Sequence, residues 1–148
     1  MRKLPFLPLA LVPLAVGCAS GGTQTVAFGE SAAVPRPVGA YESEFIPGRT
    51  ADVLYSVDEV VSPSPGTVTF TLTVEIPELG RTSGLRNLTA VCESGGHHGP
   101  ARSEEQLGEA DGGTHPFAMV CAVPEDAEEL LIAVEHYDHR MEFTGTPG

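Results

Sequence analysis

The sequence predicts an all-β chain, folded as an antiparallel β-sandwich. Three observations lead there. Residues 67–76 alternate without a break: Val68, Phe70, Leu72, Val74 and Ile76 share one face, and Thr67, Thr69, Thr71, Thr73 and Glu75 the other. That period of two marks a strand buried on one side. Shorter runs of the same kind recur along the chain, separated by Pro- and Gly-rich turn signals. No long stretch carries the 3.6-residue period of an amphipathic helix.

The elements follow in order. Val26 and Phe28 suggest a first strand. Val53, Tyr55 and Val57 alternate with Leu54, Ser56 and Asp58 in a second. Pro63-Ser64-Pro65-Gly66 is a turn that leads into residues 67–76, and residues 77–84 form another turn region. Leu88, Ala90 and Cys92 then alternate with Thr89, Val91 and Glu93. Phe117, Met119, Cys121 and Val123 make the next inward face. Residues 124–129 have room for one helical turn, with acids near its start. Residues 130–134 are apolar on both faces and short, as a central strand requires. Met141 and Phe143 alternate with Glu142 and Thr144 as the last strand.

Ahead of the sandwich lies an export signal. Arg2 and Lys3 precede an apolar run over residues 4–16, and small residues follow. The run is far shorter than the roughly 20 residues of a membrane-spanning helix. Pro5, Pro8 and Pro13 interrupt it further. Its end, Ala15-Val16-Gly17-Cys18, resembles a bacterial lipobox, with Ala15 in place of the usual Leu. The resemblance implies cleavage before Cys18 and a lipid on its thiol. Residues 1–17 are then the signal peptide, 18–24 the lipidated cysteine and a short tether, and 25–145 the sandwich. Two or more acyl chains anchor stably, at about 0.8 kcal/mol per buried CH₂. The expected location is the extracytoplasmic face of the cell membrane, or the outer membrane if the cell has two, because Ala19 follows the cysteine.

Composition narrows the partners. The chain has 148 residues and a net charge of −12, and losing Arg2 and Lys3 makes the remainder more acidic still. Such a surface does not attract nucleic acid or anionic lipid headgroups. The only Lys is Lys3, so the exported part has no lysine nucleophile or Schiff base. Neither Gly-x-Ser-x-Gly nor Ser-x-x-Lys occurs. No catalytic residue and no cofactor is expected. Cys92 and Cys121 remain as an even pair in an exported chain, which predicts a disulfide. Both lie on inward phases of consecutive strands, so the bridge should close the base of the segment between them.

That segment, residues 94–116, reads as a long flexible loop, rich in Gly and Glu. It holds His97, His98 and His115, candidate zinc ligands. Against a metal site, adjacent residues of extended chain project in opposite directions. His136 and His139 flank Tyr137-Asp138, and in a strand such a pair should point apart. His136 is in phase with Ile132 and Val134, which predicts partial burial at a strand end.

Three stretches carry a family resemblance. Residues 26–34 look like an opening strand, residues 51–61 with 66–76 like a central pair, and residues 117–133, with Val123-Pro124-Glu125-Asp126, like a strand, turn and strand near the end. In this order they resemble secreted bacterial domains with a telokin-like, immunoglobulin-like sandwich, whose relatives include mycobacterial immunoprotective extracellular antigens. The resemblance implies fold and location, and it carries no common activity. The chain has no Trp, and its cysteines are close in sequence, so a usual inter-sheet bridge is not expected. The leading functional expectation is a lipid-anchored binding module with a protein or cell-envelope partner. The second is a metal- or ligand-sensing domain that uses the His-rich loop.

Overall fold

A computed structural model describes residues 22–39 and 49–148. Cys18 and the signal segment lie outside the described residues. Twelve strands and no helix are present among those described: β1 (Thr23–Ala27), β2 (Ser31–Pro37), β3 (Thr50–Ser64), β4 (Thr67–Ile76), β5 (Ser83–Gly84), β6 (Thr89–Ser94), β7 (His97–Pro100), β8 (Arg102–Ser103), β9 (Glu109–Ala110), β10 (Gly113–Ala122), β11 (Leu130–His136) and β12 (His139–Gly145). One sheet runs β1-β12-β11-β6-β7, the other β2-β3-β4-β10-β8, and β5 pairs with β9 in a small ribbon. Every pairing is antiparallel except β1 with β12. The sandwich is as expected.

Alternation sets the core. The inward residues of β4 are all buried, and the register lines them up with those of its neighbours. Leu72 lies between Val57 and Phe117, and Phe70 opposite Met119. From the other sheet, Ile132 sits between Cys92 and Phe143, and Val134 between Ala90 and Met141. These apolar faces form one core. At about 25 cal/mol per Å² of apolar area removed from water, that core is the main source of stability. Strand β11 occupies the middle of its sheet with Ile132, Ala133 and Val134 buried, matching its apolar sequence.

Several expectations need correction. β1 begins at Thr23, so Thr23 and Gln24 belong to the sheet and not to the tether. Residues 124–129 hold only a turn, closed by the Ala127 amide donating to the Pro124 carbonyl (3.1 Å), because β11 must start at Leu130. The bridge between Cys92 and Cys121 is formed, with Cα atoms 6.3 Å apart. It joins β6 of one sheet to β10 of the other, so it is an inter-sheet bridge after all. The short sequence separation misleads because the chain changes sheets between β7 and β8.

Residues 94–116 are not a structureless loop. They hold β7, β8, β9 and the start of β10. Their glycines mark tight geometry. Gly95 and Gly96 have φ of +54° and +81° and form the two-residue turn that pairs Ser94 with His97. Turns of that kind match strand twist and need positive φ. At Gly99, β7 passes so close to the Ala122 carbonyl that a Cβ has no room. Gly99→Ala is expected to cost about 1–3 kcal/mol, the usual penalty for overpacking. Chemical denaturation checks this, and a midpoint equal to wild type would show that the two strands can separate without loss.

Candidate functional site

The end of the sandwich near the start of β1 carries a buried polar cluster. β11 is inward at Ile132 and Val134, and the same phase carries His136 inside. Its side chain is 1% exposed, more buried than the sequence suggests. The Tyr55 hydroxyl meets Nδ1 at 2.6 Å, and Nε2 lies 2.9 Å from the Gly84 carbonyl. A carbonyl can only accept, so Nε2 carries the proton and Nδ1 accepts from Tyr55. The neutral ring therefore satisfies both bonds. Burial holds the His136 pKa below its ordinary value, helped by the Arg36 charge and opposed by the Gly84 carbonyl. Burial likewise raises the Tyr55 hydroxyl. Among the described residues every buried side-chain polar atom has a partner.

This strut supports an exposed layer. Tyr137 and Asp138 form the two-residue turn between β11 and β12, with His136 opposite His139. Tyr137 has φ of +57°, where glycine or asparagine is at ease. For an aromatic residue that conformation costs about 1–2 kcal/mol. Its ring is packed on the His136 ring, 4.4 Å between centroids. Its hydroxyl donates to the Gly84 carbonyl at 3.3 Å, and the side chain remains half exposed. The Arg36 guanidinium sits 4.7 Å above the ring and donates to the His136 carbonyl at 3.3 Å. Arg81 donates to the Pro37 carbonyl at 3.0 Å. Arg36, Pro37, Arg81, Thr82, Ser83 and Tyr137 line a cleft of about 290 Å³. Glu59 also has positive φ (+52°) and lines a groove of about 390 Å³, but only the cleft joins a strained residue to two arginines, so it is the candidate site. A larger groove, about 570 Å³, runs beside the Gly95-Gly96 turn between Glu93, Glu129 and Thr144. None of its lining residues combines exposure with a strained non-glycine backbone.

The other histidines do not converge. His97 and His98 are exposed on β7, and His98 Nδ1 lies 3.5 Å from a Glu93 oxygen. His115 belongs to β10 in the other sheet, toward the opposite end, where its Nε2 meets the Asp111 carbonyl at 2.9 Å. No group of three His, Cys, Asp or Glu that could hold a metal is found among the described residues. His136 and His139 face each other across the ladder instead of pointing apart, because the chain reverses between them. Both ring nitrogens of His136 are already engaged.

Sequence reasoning missed Arg36, Arg81 and Arg140, and it passed over Tyr137. Arg140 lies on the outer face of the first sheet. It bonds Glu142 on its own strand (2.9 Å), Glu135 across the hairpin (2.9 Å) and Glu93 on β6 (3.0 Å). The three carboxylates raise its pKa, holding the guanidinium charged. Glu142 at i+2 was the only local signal for this cluster. The contacts of Arg36 and Arg81 are with carbonyls distant in sequence, and nothing local announces them.

Comparison with protein-family models, with curated proteins and with solved structures finds no match to this chain.

Proposed function

We propose that the chain is a lipid-anchored, extracytoplasmic binding module that performs no chemistry of its own. The observation that carries this reading is the position of the cleft. β1 starts at Thr23, five residues after Cys18, and Thr23 pairs with Arg140 near the hairpin that bears Tyr137. At no more than about 3.5 Å per residue, an anchor at Cys18 keeps that end within about 20 Å of the membrane surface. The far end of the sandwich, around Gly66 and the Gly95-Gly96 turn, carries Glu125, Asp126, Glu128 and Glu129. Arg36, Arg49, Arg81 and Arg86 sit toward the entry end, among the acids Asp52, Glu109, Glu135 and Asp138.

Thr82 is the cleft hydroxyl held by a carboxylate, donating to Glu109 at 2.8 Å at the exposed surface, and the buried His136 is closed off by Tyr55 and Gly84. A binding role uses the preorganised cleft as it stands. The test is metabolic labelling with a fatty acid. Wild type should take up label and fractionate with membranes, and Cys18→Ala should do neither. Equal label in both proteins would remove the anchor from this reading.

A further inference from the structure

We infer that the cleft between Arg36, Arg81 and Tyr137 binds a phosphate-bearing ligand. Of the six arginines described, Arg140 alone is held by carboxylates, three of them. Arg36, Arg49, Arg81, Arg86 and Arg102 form no ion pair among the described residues. Arg36 and Arg81 stand out from the other three because each guanidinium is fixed by a backbone carbonyl. A carbonyl bond sets the direction of a guanidinium and leaves its charge in place. Both then line one cleft, together with the Thr82 and Ser83 residues.

The donor set selects the ligand. A guanidinium is a planar fork matched to two oxygens of an oxyanion. Two forks and the Ser83 hydroxyl exceed what a two-oxygen carboxylate takes up, and they suit the three terminal oxygens of a phosphate. The Thr82 hydroxyl is committed to the neighbouring carboxylate, donating to Glu109 at 2.8 Å. Tyr137 keeps its strained backbone while offering an exposed ring at the mouth, with Arg36 stacked on it. Stacking holds the guanidinium plane and leaves its edge for the ligand. Behind the Tyr137 ring, His136 is held by the buried Tyr55 hydroxyl.

Phosphate can arrive on a lipid headgroup or on a soluble molecule. The headgroup source rests on the anchor proposed above, whereas phosphate binding by the cleft does not. The experiment is calorimetric titration of the full-length protein in non-ionic micelles, once with inorganic phosphate and once with phosphatidylglycerol added to the micelles. Saturable binding is expected, weakened about tenfold or more in Arg81→Gln, as loss of one charge-assisted contact implies. Tyr137→Asn, which suits the left-handed backbone, should also weaken it while keeping the fold. Tighter binding of the lipid than of phosphate supports a headgroup, and the reverse order supports a soluble phosphate compound. No saturable binding of either, or unchanged binding in a folded Arg81→Gln, overturns the inference. Thermal melts establish that the variants are folded, and if Arg36→Gln is not, Arg81→Gln decides alone. Failure of fatty-acid labelling with phosphate binding intact would remove the anchor and spare the cleft.

Discussion

Replacing Cys92 and Cys121 together by alanine is expected to lower stability by roughly 3–4 kcal/mol. The bridge spans 29 residues, and the loop-entropy relation gives about that figure. Domains of this size have roughly 5–15 kcal/mol in total, so the loss is a large part of the whole. Its position gives the effect a second component. Cys92 is fully buried and Cys121 nearly so, on facing sheets. Between them the chain leaves the first sheet after β7, joins the second as β8, forms β9 of the ribbon and re-enters the second as β10, so the bridge limits how far the sheets can part while this excursion forms. Denaturant unfolding of wild type with and without reductant, beside the double variant, measures it. A reductant-insensitive midpoint would contradict the assignment. Reduction and the double variant should agree within the cost of the two lost side chains.

Substituting His136 by leucine should cost about 2–4 kcal/mol. Removal of the ring leaves the buried Tyr55 hydroxyl without its acceptor and the half-buried Gly84 carbonyl with only the longer bond from Tyr137. Adding Tyr55→Phe should recover part of the loss, because an apolar pair leaves fewer groups unsatisfied. The same residue predicts a pH dependence. Burial depresses the His136 pKa in the folded protein, and in the unfolded chain it stands near the ordinary value of about 6.5. Below that pH the unfolded state binds a proton that the folded state refuses. Stability therefore holds steady above about pH 6.5 and declines as pH falls toward the folded value, by up to about 1.4 kcal/mol per pH unit. The decline should be shallower by this amount in His136→Leu. Equal slopes for both proteins between pH 6.5 and 5 would assign the pH dependence to other groups.

The inward faces were legible because burial in a strand obeys a period of two. Val68 to Ile76, Val53 to Val57 and Phe117 to Val123 could be assigned from spacing alone, and their burial follows that phase. The pairing of Cys92 with Cys121 was legible for the simpler reason that only these two cysteines remain once Cys18 is read as the lipid site. The segment after Cys92 was misread because glycine has two uses. Composition does not separate a linker from a chain of tight turns and close strand crossings, and only the contacts of Gly95, Gly96 and Gly99 show the second use.

The sequence by itself determined the long alternating strands, most of their core side chains and the disulfide partners, all properties that reside in local periodicity or in counting. Which sheet each strand joins was decided only by the tertiary structure, and with it the inter-sheet placement of the bridge. The candidate cleft belongs there too. Arg36, Arg81, Gly84 and Tyr137 are up to 101 residues apart along the chain. Their contacts run from side chains to backbone carbonyls, and every residue has a carbonyl. Such bonds leave no mark on residue identity at the accepting end, so they exist only once the sheets have brought those backbones together.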